Sequence, residues 1–282
     1  MTQSYRLERR SLVRFSGNEA GDFLNDLITA DTNSIDPKTV QQGMLLTPQG
    51  RILYDLLISR EGDDFVLEVD AERQADFIKK MTMYRLRRPV QISPDDRDVY
   101  ALINANDGDQ GLVDPRFNGA MLRYYGTRDD SIGNDADYQA VRYRHGVAEG
   151  AMDLPPEKAL PLEARLDLDQ GISFEKGCYI GQEVTARTRY RGLVKRSYLP
   201  VRFNRADGDH DWDLPHDITL DDRVVGQVLG LVKDEDGLIG LASIRLEAIN
   251  AVIENGATLA IDDATLTLLF PDRLMPLPAK KN

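Results

Sequence analysis

The chain has 282 residues, 41% of them hydrophobic and 29% charged, with a net charge of −12. That is enough for one large domain or two ordinary ones with a real core, and no apolar run approaches the roughly 20 residues a bilayer span requires. The acidic balance argues against a direct nucleic-acid binder, and one cysteine with three scattered histidines (His145, His210, His216) gives neither an internal disulfide nor a closed zinc site. The N-terminal stretch MTQSYRLERRSLVRFSG carries arginines but no apolar segment or small-residue cleavage site, so a cytoplasmic, folded beginning is expected.

Ser16 and Glu19 have capping-box spacing, and Phe23, Leu24, Leu27 and Ile28 form one apolar stripe, which predicts a helix over 17–29. GMLLTPQGRILYDLLISR reads as a hairpin folded at Pro-Gln-Gly, and FVLEV as a strand. Asp70 is placed to cap a helix whose buried face includes Ala75, Ile78 and Met81. Pro89 closes that helix, and PVQISPDDRDVYALINA opens a further αβ segment. Residues 108–138 read as loops around the strand MLRYY, and DLPPEKALP as an irregular connection. From Ser197 onward β-rich runs alternate with Asp-Gly and Asn-Gly turns, predicting a small all-β domain closed as a barrel, whose tail PDRLMPLPAKKN is extended. The division expected is 1–196 and 197–282.

The only cysteine lies in FEKGCYIGQEVTARTRYRG, between Gly177 and Gly181. The glycines permit a sharp turn and a close approach, and GQEVTARTRYR can form a short helix whose first turn favours anions. With Lys176 and Arg187 or Arg189 nearby, that field would raise the thiolate fraction of Cys178. A small buried hydrophobe is the opposing reading, because the sequence reveals no general base beside the thiol. Two basic runs stand out against the acidic background: RTRYRGLVKR, from Arg187 to Arg196, and Arg85, Arg87 and Arg88 in YRLRRP. Each is either a solvated face or a binding surface.

The stretch around Cys178 resembles the signature K-G-C-Y-x-G-Q-E of the YgfZ-like proteins, in the folate-binding superfamily of the glycine cleavage T-protein. FLNDLITADT, LTPQGRILYDLLI, YRLRRPV, Asp114-Pro115-Arg116 and HGVAEGAMDLPPEKALPLEARLD extend the likeness over nearly the whole chain. It implies an α+β fold in which two intertwined subdomains surround a folate-sized hole and an antiparallel β-barrel follows. It also implies tetrahydrofolate, with or without a polyglutamate tail, as the ligand. The role implied is that of an accessory protein for assembly or repair of iron–sulfur proteins, mainly [4Fe–4S], that supports tRNA thiomethylation. Its partners would be iron–sulfur client or carrier proteins, with neither direct nucleic-acid nor membrane contact.

Carried over position by position, the likeness marks Cys178 as the functional residue, with Lys176, Gly177, Tyr179, Gly181, Gln182 and Glu183 around it. Glu163 falls where T-proteins bind the pterin, a place where a carboxylate can accept two N–H bonds from an aminopyrimidine edge. Asp55 matches one of their paired aspartates, although the partner position is Tyr54; an outward-facing strand residue is the other reading of it. Arg187, Arg189 or Arg191 would hold the glutamate tail or an acidic carrier. A folate-dependent aminomethyl-type transferase is the alternative activity. Against it, Asp70 replaces the T-protein asparagine, Asp76 is out of register with the catalytic aspartate, and Met121 stands where a glycine follows Asp114-Pro115-Arg116. A proton-moving group has to lie within about 3 Å of its proton, so a shifted register matters.

Overall fold

Apolar runs in the first hundred residues resolve into two sheets that the chain visits in turn. The computed structural model describes residues 2–105, 108–128, 131–133, 135–204 and 212–278; His210 and tail residues 279–282 lie outside them. Strand β1 (Gln3–Arg6) joins one sheet and β2 (Arg10–Ser16) the other. The second sheet has the order β3 (Gln41–Leu46), β4 (Ile52–Glu61), β5 (Asp64–Asp70), β2 and β6 (Gln91–Asp95), antiparallel throughout. The chain then returns to the first, whose order is β10 (Ser131–Gly133), β1, β7 (Val99–Ile103), β9 (Met121–Tyr125) and β8 (Leu112–Val113). The two α+β subdomains are therefore intertwined.

Helices α1 (Ala20–Asn25) and α2 (Gln74–Arg85) cover the second sheet, and Phe23 and Phe77 pack with Phe15 and Tyr54 at ring separations of 5.0–6.3 Å. The first eight residues of β4 are buried without alternation, as a strand covered on both faces requires. Helix α3 (Asp135–Arg144) and the single turn α4 (Gly150–Asp153) bridge toward the barrel.

The C-terminal part closes into a six-stranded antiparallel barrel. Its strands run in the order β11 (Arg196–Asn204), β14 (Gly237–Arg245), β13 (Arg223–Asp234), β12 (His216–Leu220), β15 (Leu259–Ile261) and β16 (Ala264–Leu268). Arg144 of α3 and Arg202 of β11 both grip Asp234, at 2.9 and 2.8 Å, tying the barrel to the first module.

Four local expectations are corrected. Helix α1 spans only 20–25, and its N-cap Glu19 makes no side-chain cap; beyond Asp26 the chain is drawn to β3, with Thr29 N–H donating to Met44 O and Ile28 bridging Leu45. Ala75 is exposed, and Phe77 with Met81, one turn apart, forms the buried face of α2. The stretch after Pro89 forms β6 and β7 with no helix between them. The barrel is not all β: α6 (Leu246–Asn255) crosses between β14 and β15 and buries Leu246, Ala248 and Ile249 in the barrel core.

Candidate functional site

The loop preceding α5 (Gln182–Tyr190) lies on the seam between two hydrophobic cores. Tyr179 packs with Leu46, Ile52, Leu162 and Tyr198. Its neighbour Ile180 packs against the other core, which contains Ile28, Tyr54, Phe77 and Met81. With the two residues that follow it anchored on the inner side, Cys178 is left exposed. Its reading as a small buried hydrophobe is therefore excluded.

Gly181 is the N-cap of α5 at φ +81°, a left-handed conformation that favours glycine. A Cβ there would stand 2.6 Å from the Thr47 carbonyl oxygen and 2.9 Å from Leu46 Cβ, so the helix start is seated on the β3–β4 turn. The contact is reciprocal: a Cβ on Gly50 of that turn would meet Val184 Cβ at 3.0 Å. Gly177 has no atom within 4 Å of a Cβ, so packing does not demand glycine there.

Lys176 locks the loop to the segment after α1. Its Nζ donates to the carbonyl oxygens of Asn25 (2.6 Å), Ile28 (2.6 Å) and Ala30 (2.8 Å). Burial pushes the ammonium down to about 8, against Asp31 and Asp26, while the carbonyls favour its charged form. Its three protons are thus engaged within the chain. Tyr179 is buried, its phenol is pushed up to about 12 by burial, and its hydroxyl finds no hydrogen-bond partner among the described residues.

A cleft of about 550 Å³ opens beside the loop, lined in part by Asp31, Asp167, Phe174, Lys176, Arg189 and Tyr190. The Arg189 guanidinium lies 3.9 Å from the Phe174 ring centroid, and Tyr190 meets the same ring edge-on. Burial raises the Asp167 carboxyl, opposed by Arg165, Arg189 and Arg273. Gln182 begins α5 half-buried, Glu183 follows it exposed, and Arg187 and Arg191 are exposed with no ion pair among the described residues.

Glu163 and Asp55 line other parts of the module, and neither belongs to this cleft. Glu163 is half-buried between Leu162 and Ala164, both in the core that holds Tyr179. Burial raises its carboxyl against Arg196, the backbone N–H groups of Lys195 and Arg196, and Arg51. Asp55 is buried, contrary to an outward-facing strand residue; its Oδ2 accepts from Arg10 at 3.2 Å and from Gly150 N–H at 3.0 Å. Asp70 caps the 3-10 turn Ala71–Arg73 through Glu72 N–H and also accepts from Ala151 N–H. Asp76 is exposed in the first turn of α2.

Asp55 is one edge of a buried ion network that the sequence did not disclose. Arg10 pairs with Glu68 at 2.9 Å, and Arg123 and Arg116 converge on Glu149 at 2.8 and 2.9 Å. Arg116 also clasps Asp114, and Arg142 pairs with Asp153 at 2.6 Å. Burial alone would raise the Glu149 carboxyl, but Arg123, Arg116, Arg10 and Arg142 hold it well below the carboxylate range. Asp114-Pro115-Arg116 stands out in the sequence; the partners Glu68 and Glu149 carry no local signal.

Among the described residues no three His, Cys, Asp or Glu side chains are grouped to hold a metal ion, and no helix is long and apolar enough to cross a membrane. No protein-family model matches the chain. It is similar to the mitochondrial iron–sulfur cluster assembly factor IBA57 of Mus musculus, 32% identical over 287 residues covering 87% of this chain and 78% of the relative. The mitochondrial IBA57 homolog of Phaeosphaeria nodorum is 35% identical over 286 residues, covering 86% of this chain and 70% of that one. Among solved structures, the glycine cleavage system aminomethyltransferase T from Bartonella henselae superposes with a TM-score of 0.72 over 99% of this chain and 88% of its own, at 12% identity. That likeness establishes the aminomethyltransferase fold and nothing of its chemistry. By the extent of its likeness to the mouse and fungal proteins, the chain belongs to the family of the iron–sulfur cluster assembly factor IBA57.

Proposed function

We propose that the protein is a YgfZ-like, tetrahydrofolate-binding accessory factor for the assembly or repair of iron–sulfur proteins, mainly [4Fe–4S], acting through Cys178. The observation that carries this reading is the lone thiol held exposed on a loop fastened to two cores, in a chain whose relatives are named as iron–sulfur cluster assembly factors. The chain offers no complete set of metal ligands among the described residues, so a cluster or sulfur atom reaching Cys178 would be held jointly with a client or carrier protein. Support for tRNA thiomethylation follows as an indirect effect, through the iron–sulfur enzyme that performs it.

Folate binding is supported by the chemistry of two groups around one core. Glu163 is a half-buried carboxylate suited to an aminopyrimidine edge, and Tyr179 carries a buried hydroxyl without a partner among the described residues. Arg187 and Arg189 would hold a polyglutamate tail, and Gln182 lies between these groups in sequence. An aminomethyl-type transferase is the weaker reading, because Asp55 and Asp70 already accept backbone and guanidinium hydrogen bonds. The cytoplasmic placement expected from the sequence belongs to this proposal; the two relatives are named as mitochondrial.

The test expresses wild type, Cys178→Ser and Glu163→Gln in cells lacking the native gene. It measures a [4Fe–4S]-dependent tRNA thiomethylation under oxidative stress, together with tetrahydrofolate binding by the purified proteins. Cys178→Ser is expected to lose the cellular activity and keep folate binding, with stability within about 0.5 kcal/mol of wild type because the residue is exposed. Glu163→Gln is expected to weaken folate binding at least tenfold. Full rescue by Cys178→Ser would overturn the role of the thiol, and unaltered folate affinity in Glu163→Gln would remove Glu163 from the site.

A further inference from the structure

The end of α2 and the YRLRRP run that closes it expose large apolar side chains that belong to none of the cores. Met83 is 68% exposed and Leu86 83%. Leu86 also terminates α2 at φ +51°, ψ −109°, a backbone region that disfavours a branched side chain. The chain thus carries two costs at one residue, backbone strain and an apolar side chain in water.

Around this knob the charge is mainly positive, although Glu19 lines the same surface recess as Leu86, Arg87 and Arg88. Residues 79–88 and 187–196 together hold ten of the chain's 35 cations and no acid, while the whole chain is −12. Some are occupied: Arg85 donates to Val90 O, Arg88 pairs with Asp26, and Arg189 stacks on Phe174. Lys79 and Arg87 are exposed beside Met83 and Leu86 and make no ion pair among the described residues.

The knob and the thiol loop are both fastened to the end of α1. Arg88 reaches Asp26 at 2.5 Å, and Lys176 reaches the neighbouring Asn25 at 2.6 Å. Leu86 and Cys178 are each two residues from one of these anchors. Ile180 also packs in the core that contains Phe77 and Met81 of α2. We infer that Met83 and Leu86, ringed by Lys79 and Arg87, dock an acidic protein whose contact face carries apolar side chains, and that this docking brings the partner to Cys178. The partner is fixed by complementarity: apolar atoms to cover the knob and carboxylates to meet cations that the rest of the acidic surface lacks. This inference rests on the proposed role of Cys178 for the partner's purpose, though not for its binding.

The test uses the full-length protein and a fluorescein-labelled helical peptide with glutamates on one face and leucines on the other. Leu86→Gly relieves the strained backbone, so its melting temperature is expected to equal or exceed wild type, while peptide affinity falls at least tenfold. Arg87→Glu is expected to weaken binding by a similar factor and to reduce its salt dependence. A peptide with the same glutamates and no leucines, and vesicles containing phosphatidylglycerol, are expected to bind at least tenfold more weakly than the amphipathic peptide. The inference is overturned if wild type does not bind the amphipathic peptide, if Leu86→Gly binds as wild type does, or if the vesicles compete equally. Cys178→Ser separates the two readings. Intact peptide binding with lost cellular activity supports both; unchanged activity in Cys178→Ser with binding still dependent on Leu86 overturns the thiol's role and leaves the docking surface standing.

Discussion

Replacing Gly181 with alanine tests whether the thiol loop is held by the β3–β4 turn. The new methyl would lie 2.6 Å from Thr47 O and 2.9 Å from Leu46 Cβ, at a residue whose φ is +81°. The left-handed backbone costs a non-glycine residue about 1–2 kcal/mol, and forcing the hairpin turn aside adds about 1–3 kcal/mol. A loss of about 3 kcal/mol in total corresponds to about 5 °C in melting temperature if the chain unfolds as one unit, at about 2 cal/mol/K per residue. Gly177→Ala, one residue before the thiol, is the control. Its Cβ meets nothing within 4 Å, so the expected change is within about 0.5 kcal/mol. Thermal unfolding by circular dichroism measures both, and the rate of Cys178 with a disulfide reagent reports whether the loop has moved. Equal losses in the two variants, or none in Gly181→Ala, would refute the assignment of Gly181 to packing. A Gly177→Ala protein that is stable but inactive would mean that glycine is kept there for what approaches the thiol.

Other substitutions probe the struts around the site. Glu149→Gln leaves Arg116 and Arg123 facing each other without their shared anion; a loss of about 3–5 kcal/mol is expected in denaturant unfolding, and a loss under 1 kcal/mol would contradict the network. Lys176→Met strands three backbone carbonyls, at about 2–3 kcal/mol. Hydrogen exchange over residues 26–31 should accelerate, and unchanged protection there would show that the ammonium is not the lock. Asp234 is held down to about 2, first by the Arg202 hydrogen bond, against burial, with help from Arg144. A depressed carboxylate contributes stability that is full above its unfolded value and is lost as pH falls through the folded one. Asp234→Asn should therefore cost about 1–2 kcal/mol at neutral pH, allowing for the partial exposure of both arginines. It should also flatten the stability profile between about pH 4 and 2; an unaltered acid limb would refute it.

What the sequence disclosed is local. The β3–β4 hairpin follows from two apolar runs around Pro-Gln-Gly, and α5 from a stretch without breakers after Gly181. The apolar stripe of α1 runs on through Leu27 and Ile28 and so predicts a longer helix, yet backbone hydrogen bonds to β3 claim that segment. The stripe Leu246, Ile249 and Val252 did signal α6, but it lay inside a region dominated by strand patterns. The ion network was illegible for a stronger reason. Arg10, Glu68, Arg123 and Glu149 are far apart in the chain, and a charged residue on a strand ordinarily reads as a solvent-facing one. Only the fold, by bringing both sheets together, supplies each charge with its partner.

The same placement supports the proposal that the loop, and not the hole expected between the subdomains, presents the reactive group. Asp55 and Asp70, two carboxylates at positions aligned with the T-protein pattern, accept hydrogen bonds from Arg10, Gly150, Glu72 and Ala151. A carboxylate so engaged would have to break those bonds before moving a proton on a ligand. Cys178 is exposed and has no such engagement among the described residues, and the loop around it is fixed by Lys176 on one side and by Tyr179, Ile180 and Gly181 on the other. Under the proposed function, an exposed thiol on a rigid mount suits transfer between proteins: the partner would supply the remaining ligands, and the mount would fix where the sulfur stands. A flexible loop would present the same atom at the cost of ordering it on every encounter.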